Sequence, residues 1–165
     1  MNRRILILLF FCVTAIMGMS SVFNDSVKMD KVIAKHVGDS VAAVIIHADS
    51  IVANLTVWEN DTLPPQTLSP CMRYIVQYTL CQPIMYQSDK RVYSAFYADA
   101  QLVVRQGENV VFLELDYNIN KWRLLDSYGK QICRHDLINM ELLSLMHELW
   151  PESKNINVKY EEFAK

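Results

Sequence analysis

The chain predicts an α+β domain: N-terminal helices, an antiparallel β-meander of three to five strands, and a C-terminal helix packed on the sheet. Three observations carry this. Apolar residues recur at helical spacing in the first half. From Val92 onward the period changes to two, with short turn signals between the runs. A broad apolar stretch from Leu137 to Leu149 then closes on Pro151.

Ser26 can cap a helix through about Val37, with Val27, Val32, Ile33 and Val37 near helical spacing, and Gly38 stops it. Asp39 or Ser40 restarts a helix through about Ala48, although the apolar run Val41–Ile46 also fits a strand. Ile51–Trp58 alternates as a strand. Glu59–Leu68, polar and holding Pro64-Pro65, reads as a loop. Ser69-Pro70 fits an N-cap followed by proline at the first helical position. It opens a helix with Met72, Ile75, Val76, Thr79 and Leu80 on one face, ending before Pro83. Ile84–Arg91 reads as loop.

The meander follows. Val92–Arg105 contains a strand, Gln106–Asn109 turns, and Val110–Tyr117 returns. Asn118–Asn120 turns again into a third strand, Lys121–Asp126; Ser127–Lys130 is a hairpin turn into a short strand, Gln131–Cys133. Asp136 is read as the cap of the last helix. The tail, residues 152–165, reads as polar and loose, with Val158, Tyr160 and Phe163 able to form an edge strand or to dock.

The first 20 residues form a unit of their own. Arg3-Arg4 precede fifteen uncharged residues, Ile5–Met19, with small residues at Gly18 and Ser20. A basic start, a short apolar run and a small-x-small exit make a signal peptide. The run is shorter than the ~20 residues of a spanning helix. The expected product is an exported chain of one domain over residues 21–151 plus the tail, with no integral membrane span after cleavage. Loss of Arg3 and Arg4 leaves 14 basic against 18 acidic side chains. That balance argues against binding through a nucleic-acid backbone. Export would favour a disulfide among Cys71, Cys81 and Cys133. Helical placement holds Cys71 and Cys81 about 15 Å apart, so Cys133 would be the partner of either, and Cys81–Cys133 is one such pair. Three buried thiols remain the equal alternative.

Candidate chemistry is sparse. None of His36, His47, His135 and His147 forms the i, i+4 pair of a helical zinc site, and four glycines leave little for a phosphate loop. No cofactor is expected. Cys133 and His135 point the same way in a strand and could serve a hydrolase; the plainer reading is a buried thiol, an exposed histidine and a capping Asp136. Asp116, Asp126 and Asp136 recur every ten residues, a spacing that hairpin length explains, since Asp favours turns and caps. Tyr93, Tyr97, Tyr117 and Trp122 belong to an aromatic-rich middle that either lines a binding face or fills the helix–sheet interface.

The series Val92-Tyr93, Phe96-Tyr97, Leu115-Asp116-Tyr117, Lys121-Trp122, Asp126-Ser127-Tyr128-Gly129-Lys130, Asp136-Leu137 and Leu149-Trp150-Pro151 resembles that of small exported proteins of Bacteroidetes-type bacteria. The resemblance covers a third to a half of the chain and implies a periplasmic or envelope location. Those proteins have no assigned activity, so no functional residue carries over. The expectation is a non-enzymatic module binding a protein or small ligand in the envelope. The alternatives are a hydrolase built on Cys133/His135 or a carboxylate pair, and a cystatin-like secreted inhibitor, which rests on fold analogy alone.

Overall fold

The computed structural model describes residues 31–56, 63–87, 95–138 and 140–163. The signal segment, the start at Ser26, the strand end at Trp58, and Val92 and Tyr93 lie outside them. The elements run in the order α1 (31–37), α2 (Asp39–Ile46), β1 (Ser50–Leu55), β2 (Gln66–Thr67), α3 (Pro70–Leu80), a 3₁₀ turn (Pro83–Tyr86), β3 (Ala100–Gln106), β4 (Asn109–Asp116), β5 (Lys121–Leu125), β6 (Gln131–Asp136), α4 (Glu141–Leu149) and α5 (Lys154–Phe163). The class is α+β, with helices at both ends and an antiparallel sheet between.

Gly38 separates the first two helices at φ 86°, a left-handed conformation that a β-carbon would strain. At α3 the Ser69 hydroxyl accepts the Met72 N–H at 3.3 Å and Pro70 occupies the first turn, a cap worth about 1 kcal/mol. Side chains of α3 also satisfy the open carbonyls where α2 ends. Gln77 Nε2 donates to Ile45 and Ile46, both at 3.0 Å, and Arg73 donates to Ala48 at 3.2 Å and to Asp49. With Val76, Thr79 and Leu80 buried in the core, α3 leaves Cys71, Tyr74 and Tyr78 to solvent.

The sheet has six strands in the order β2-β1-β3-β4-β5-β6. It exceeds the expected number because β1 joins the meander through β3, and because residues assigned to a loop contribute β2, which pairs Gln66 and Thr67 with Ala53 and Val52. Backbone pairing with β1 outweighs the low strand propensity of that polar stretch.

Register sorts the two faces. Ile51, Val104 and Val111 form one inward row; Ala53, Leu102, Leu113, Leu124 and Cys133 a second; Leu55, Ala100, Leu115, Trp122 and His135 a third. These rows meet the helices in one apolar cluster that reaches Ile33 on α1 and Ile156 on α5. The opposite face carries Val52, Val103, Phe112 and Leu125, then a polar ladder of Asn54, Gln101, Glu114, Arg123 and Arg134. In the ladder Glu114 accepts from Gln101 at 2.9 Å and from Arg123 at 2.7 Å, and the Arg123 guanidinium lies 4.2 Å over the Phe96 ring.

Two expectations fail at the C-terminal end. Asp136 caps no helix; it ends β6 and pairs with Lys121 across the outer face, so the strand runs on and α4 starts at Glu141 without a side-chain cap. The tail is not a loose segment or an edge strand. Ile156 and Tyr160 recur at helical spacing, and α5 buries Ile156 while Tyr160 stacks on His147 of α4 at 4.3 Å. Among the described residues no helix is long and apolar enough to cross a membrane.

Candidate functional site

The residues with the most chemical potential gather where β5 and β6 meet the 3₁₀ turn. Strand alternation points Cys133 and His135 inward, beside Leu124 and Trp122. Trp122 is fully buried, and its indole N–H donates to the Met85 carbonyl at 2.9 Å. The Tyr86 hydroxyl donates to Leu80 at 2.7 Å. Rings fill the remaining space: Tyr86 meets Trp122 edge-on at 5.6 Å, His135 lies 5.3 Å from Trp122 and 5.4 Å from Tyr86, and His36 of α1 stacks on Tyr86 at 4.0 Å.

This environment disfavours charge. Burial pushes the Cys133 thiol up to about 11, a Leu124 backbone hydrogen bond opposing. Burial also raises Tyr86, reinforced by the Cys133 and Cys81 thiols. His135 falls below the ordinary histidine value, chiefly through burial and then through His36, with Asp136 pulling the other way. His36 is lowered by burial and by Lys35. A nucleophilic cysteine needs the reverse, a thiolate beside a protonated base. What the arrangement does is pack: a neutral thiol and neutral imidazoles complete an aromatic corner. No disulfide joins Cys81 to Cys133 in the structure.

Of the four aromatic residues offered either to a binding face or to the helix–sheet interface, the described three divide. Tyr117 and Trp122 are core residues, Tyr97 is 56% exposed in the segment before β3, and Tyr93 lies outside the described residues. Trp122 is drawn in because strand alternation puts it in the inward row between Leu115 and His135.

A buried carboxylate pair, unmarked by any motif, ties the β3 and β4 ends together. Asp99 accepts the Tyr117 N–H at 2.7 Å, and Asp116 accepts the Tyr97 N–H at 2.8 Å and those of Asn118 and Ile119 at 3.1 and 3.3 Å. Asn155 of α5 donates to Asp99 at 3.2 Å. Burial raises Asp99, with Asp116 adding to it, against the Tyr117 and Asn155 hydrogen bonds. These oxygens are engaged with backbone and amide donors, so they act as loop staples. Asp126 has the same duty at the next hairpin, accepting the Tyr128 and Lys130 N–H groups, each at 2.9 Å. Among the described residues, no group of three or more His, Cys, Asp or Glu is placed to hold a metal ion.

The open surface lies elsewhere. Between α3 and α4 a depression of about 440 Å³ is lined by Ile75, Met140, Glu141, Ser144, Leu145 and Glu148. Its floor is apolar: Leu145 is buried, and Ile75 and Met140 are half-buried. Glu141 and Glu148 are exposed on one side of α4, and neither has a salt-bridge partner among the described residues. Along the solvent face of α3, Tyr74 and Tyr78 stack at 6.1 Å while remaining 53% and 49% exposed. Helical spacing puts Ile75 on the apolar face of α3, and Leu145 falls within the apolar stretch Leu137–Leu149, but the gap between them depends on how the helices pack. Comparison with family models, curated proteins and solved structures finds no match to this chain.

Proposed function

We propose that the chain is an exported, non-enzymatic protein-binding module of a bacterial envelope, docking its partner on the α3–α4 surface. The observation that carries this reading is that α3 supplies both Ile75 of an apolar groove and, at neighbouring helical positions, the exposed Tyr74–Tyr78 pair. Tyrosine offers a large amphipathic contact with few rotatable bonds, the composition favoured at the centre of interfaces. Export is supported by the basic start, the short apolar run and the small-residue exit of the first 20 residues, and the envelope by the resemblance to exported Bacteroidetes-type proteins. The neutral Cys133 and His135 speak for a packing role rather than for hydrolysis.

The test is photocrosslinking in the native host with a crosslinker placed at Tyr78, and separately at Tyr128 on the β5–β6 turn, which is 94% exposed. A discrete conjugate with one identifiable protein at Tyr78, absent at Tyr128, is the expected result. Equal, diffuse labelling from both positions would overturn the reading.

A further inference from the structure

We infer that the α3–α4 groove receives a basic amphipathic helix, its apolar face on Ile75, Met140 and Leu145 and its cationic residues on Glu141 and Glu148. The inference rests on the protein-binding reading above and names the partner's chemistry.

Three features of the groove lead there. The floor is a strip of aliphatic and thioether side chains between two helices, the geometry that takes the apolar face of a third. Methionine at such a surface adapts to different apolar partners. The wall is anionic and spaced: Glu141 and Glu148 stand seven residues apart on α4, two helical turns or about 10 Å along the axis. Lysines or arginines at the same two-turn spacing on an incoming helix reach both carboxylates while its leucine-like positions face down. Ser144 lies between the two glutamates and can accept from a third donor. Among the described residues no cation neutralises either glutamate, so the field is available to an incoming chain and repels an acidic one.

The experiment uses the folded chain and two labelled synthetic helices with the same leucine face, one carrying lysines and one glutamates on the polar side. Binding is followed by fluorescence anisotropy. The lysine helix is expected to bind saturably and to weaken as salt rises, and the glutamate helix to stay free. Glu141→Gln with Glu148→Gln should weaken the lysine helix by about tenfold, the yield of two partly exposed ion pairs, and flatten the salt dependence. Ile75→Lys should abolish binding. These sites are exposed or half-buried, and circular dichroism confirms that each variant folds.

Equal binding of both helices, or lysine-helix binding indifferent to all three substitutions, overturns the inference. So does a self-associated chain that Ile75→Lys dissociates, because the occupant is then a second copy. If the Tyr78 crosslink identifies a partner but the lysine helix does not bind, the partner chemistry falls and the binding reading stands. If neither succeeds, both fall.

Discussion

Two regions of this molecule hold polar and aromatic side chains in nearly opposite ways. At the β5–β6 corner, the rings of Trp122, Tyr86, His135 and His36 lie against one another, and burial disfavours the charged forms of Cys133 and His135. On the α3–α4 side, Glu141 and Glu148 of the groove and Tyr74 and Tyr78 of α3 face solvent. The corner holds the residue types that suggest catalysis, yet its environment works against a nucleophile. The groove holds residue types that suggest nothing alone, yet the fold sets two exposed carboxylates beside an apolar floor. Residue chemistry becomes function only where the fold leaves it accessible and tuned.

The strongest way to break this comparison is to show that the corner is dispensable. Trp122→Ala should lower unfolding free energy by about 3–5 kcal/mol, because it opens a cavity and leaves the Met85 carbonyl without its indole donor. Denaturant titration measures this; a loss below about 1 kcal/mol would mean that the corner does not hold the core.

A paired carboxylate experiment sharpens the contrast next. Asp116→Ala removes a buried carboxylate that accepts from three part-buried backbone N–H groups and should cost about 2–3 kcal/mol. Glu141→Ala, on the groove wall, should stay within about 0.5 kcal/mol. Similar costs for both would erase the distinction between a staple and a docking charge.

Acidification should act through the corner. The folded state holds His135 and His36 below the ordinary histidine value of 6.5, so the unfolded chain binds more protons in the window beneath it. Stability is therefore fully present above pH 6.5 and declines as pH falls through the depressed folded values. Denaturation curves across that window should show the decline, and His135→Gln should reduce it. Asp99 runs the other way: its raised value adds stability at acid pH that is lost as pH rises through the folded value.

Thiol labelling offers a finer test that leaves stability unchanged. Cys71 is exposed and should react first with iodoacetamide near neutral pH, whereas Cys133, held protonated and partly covered, should react only as the chain opens. Peptide mass spectrometry reads the order, and simultaneous labelling would contradict the packed corner. The smallest effect is expected from Tyr78→Ala, within about 0.5 kcal/mol in stability while the Tyr78-directed interaction is lost.

Much of the fold is legible along the chain. Ser69-Pro70 marks the start of α3 because a hydroxyl cap and a fixed φ act locally. The Gln106–Asn109 and Ser127–Lys130 turns follow from short polar runs between alternating strands. Gly38 divides α1 from α2 for an equally local reason. The misreadings are those decided at a distance. Asp136 has the right chemistry for a cap, but Lys121 on the neighbouring strand claims it. Gln66 and Thr67 become a strand because β1 offers a partner. The C-terminal segment becomes α5 because Ile156 finds the core and Asn155 finds Asp99.

Local conformational preference and hydrophobic period, both properties of neighbouring residues, determined the class and most element positions. Tertiary structure alone decided which aromatic residues are core, that Asp99 and Asp116 staple one end of the sheet, and that α3 and α4 leave an acidic-walled groove between them. Those outcomes depend on which distant side chains exclude water from one another, and on the desolvation that follows, terms that no single stretch of sequence contains.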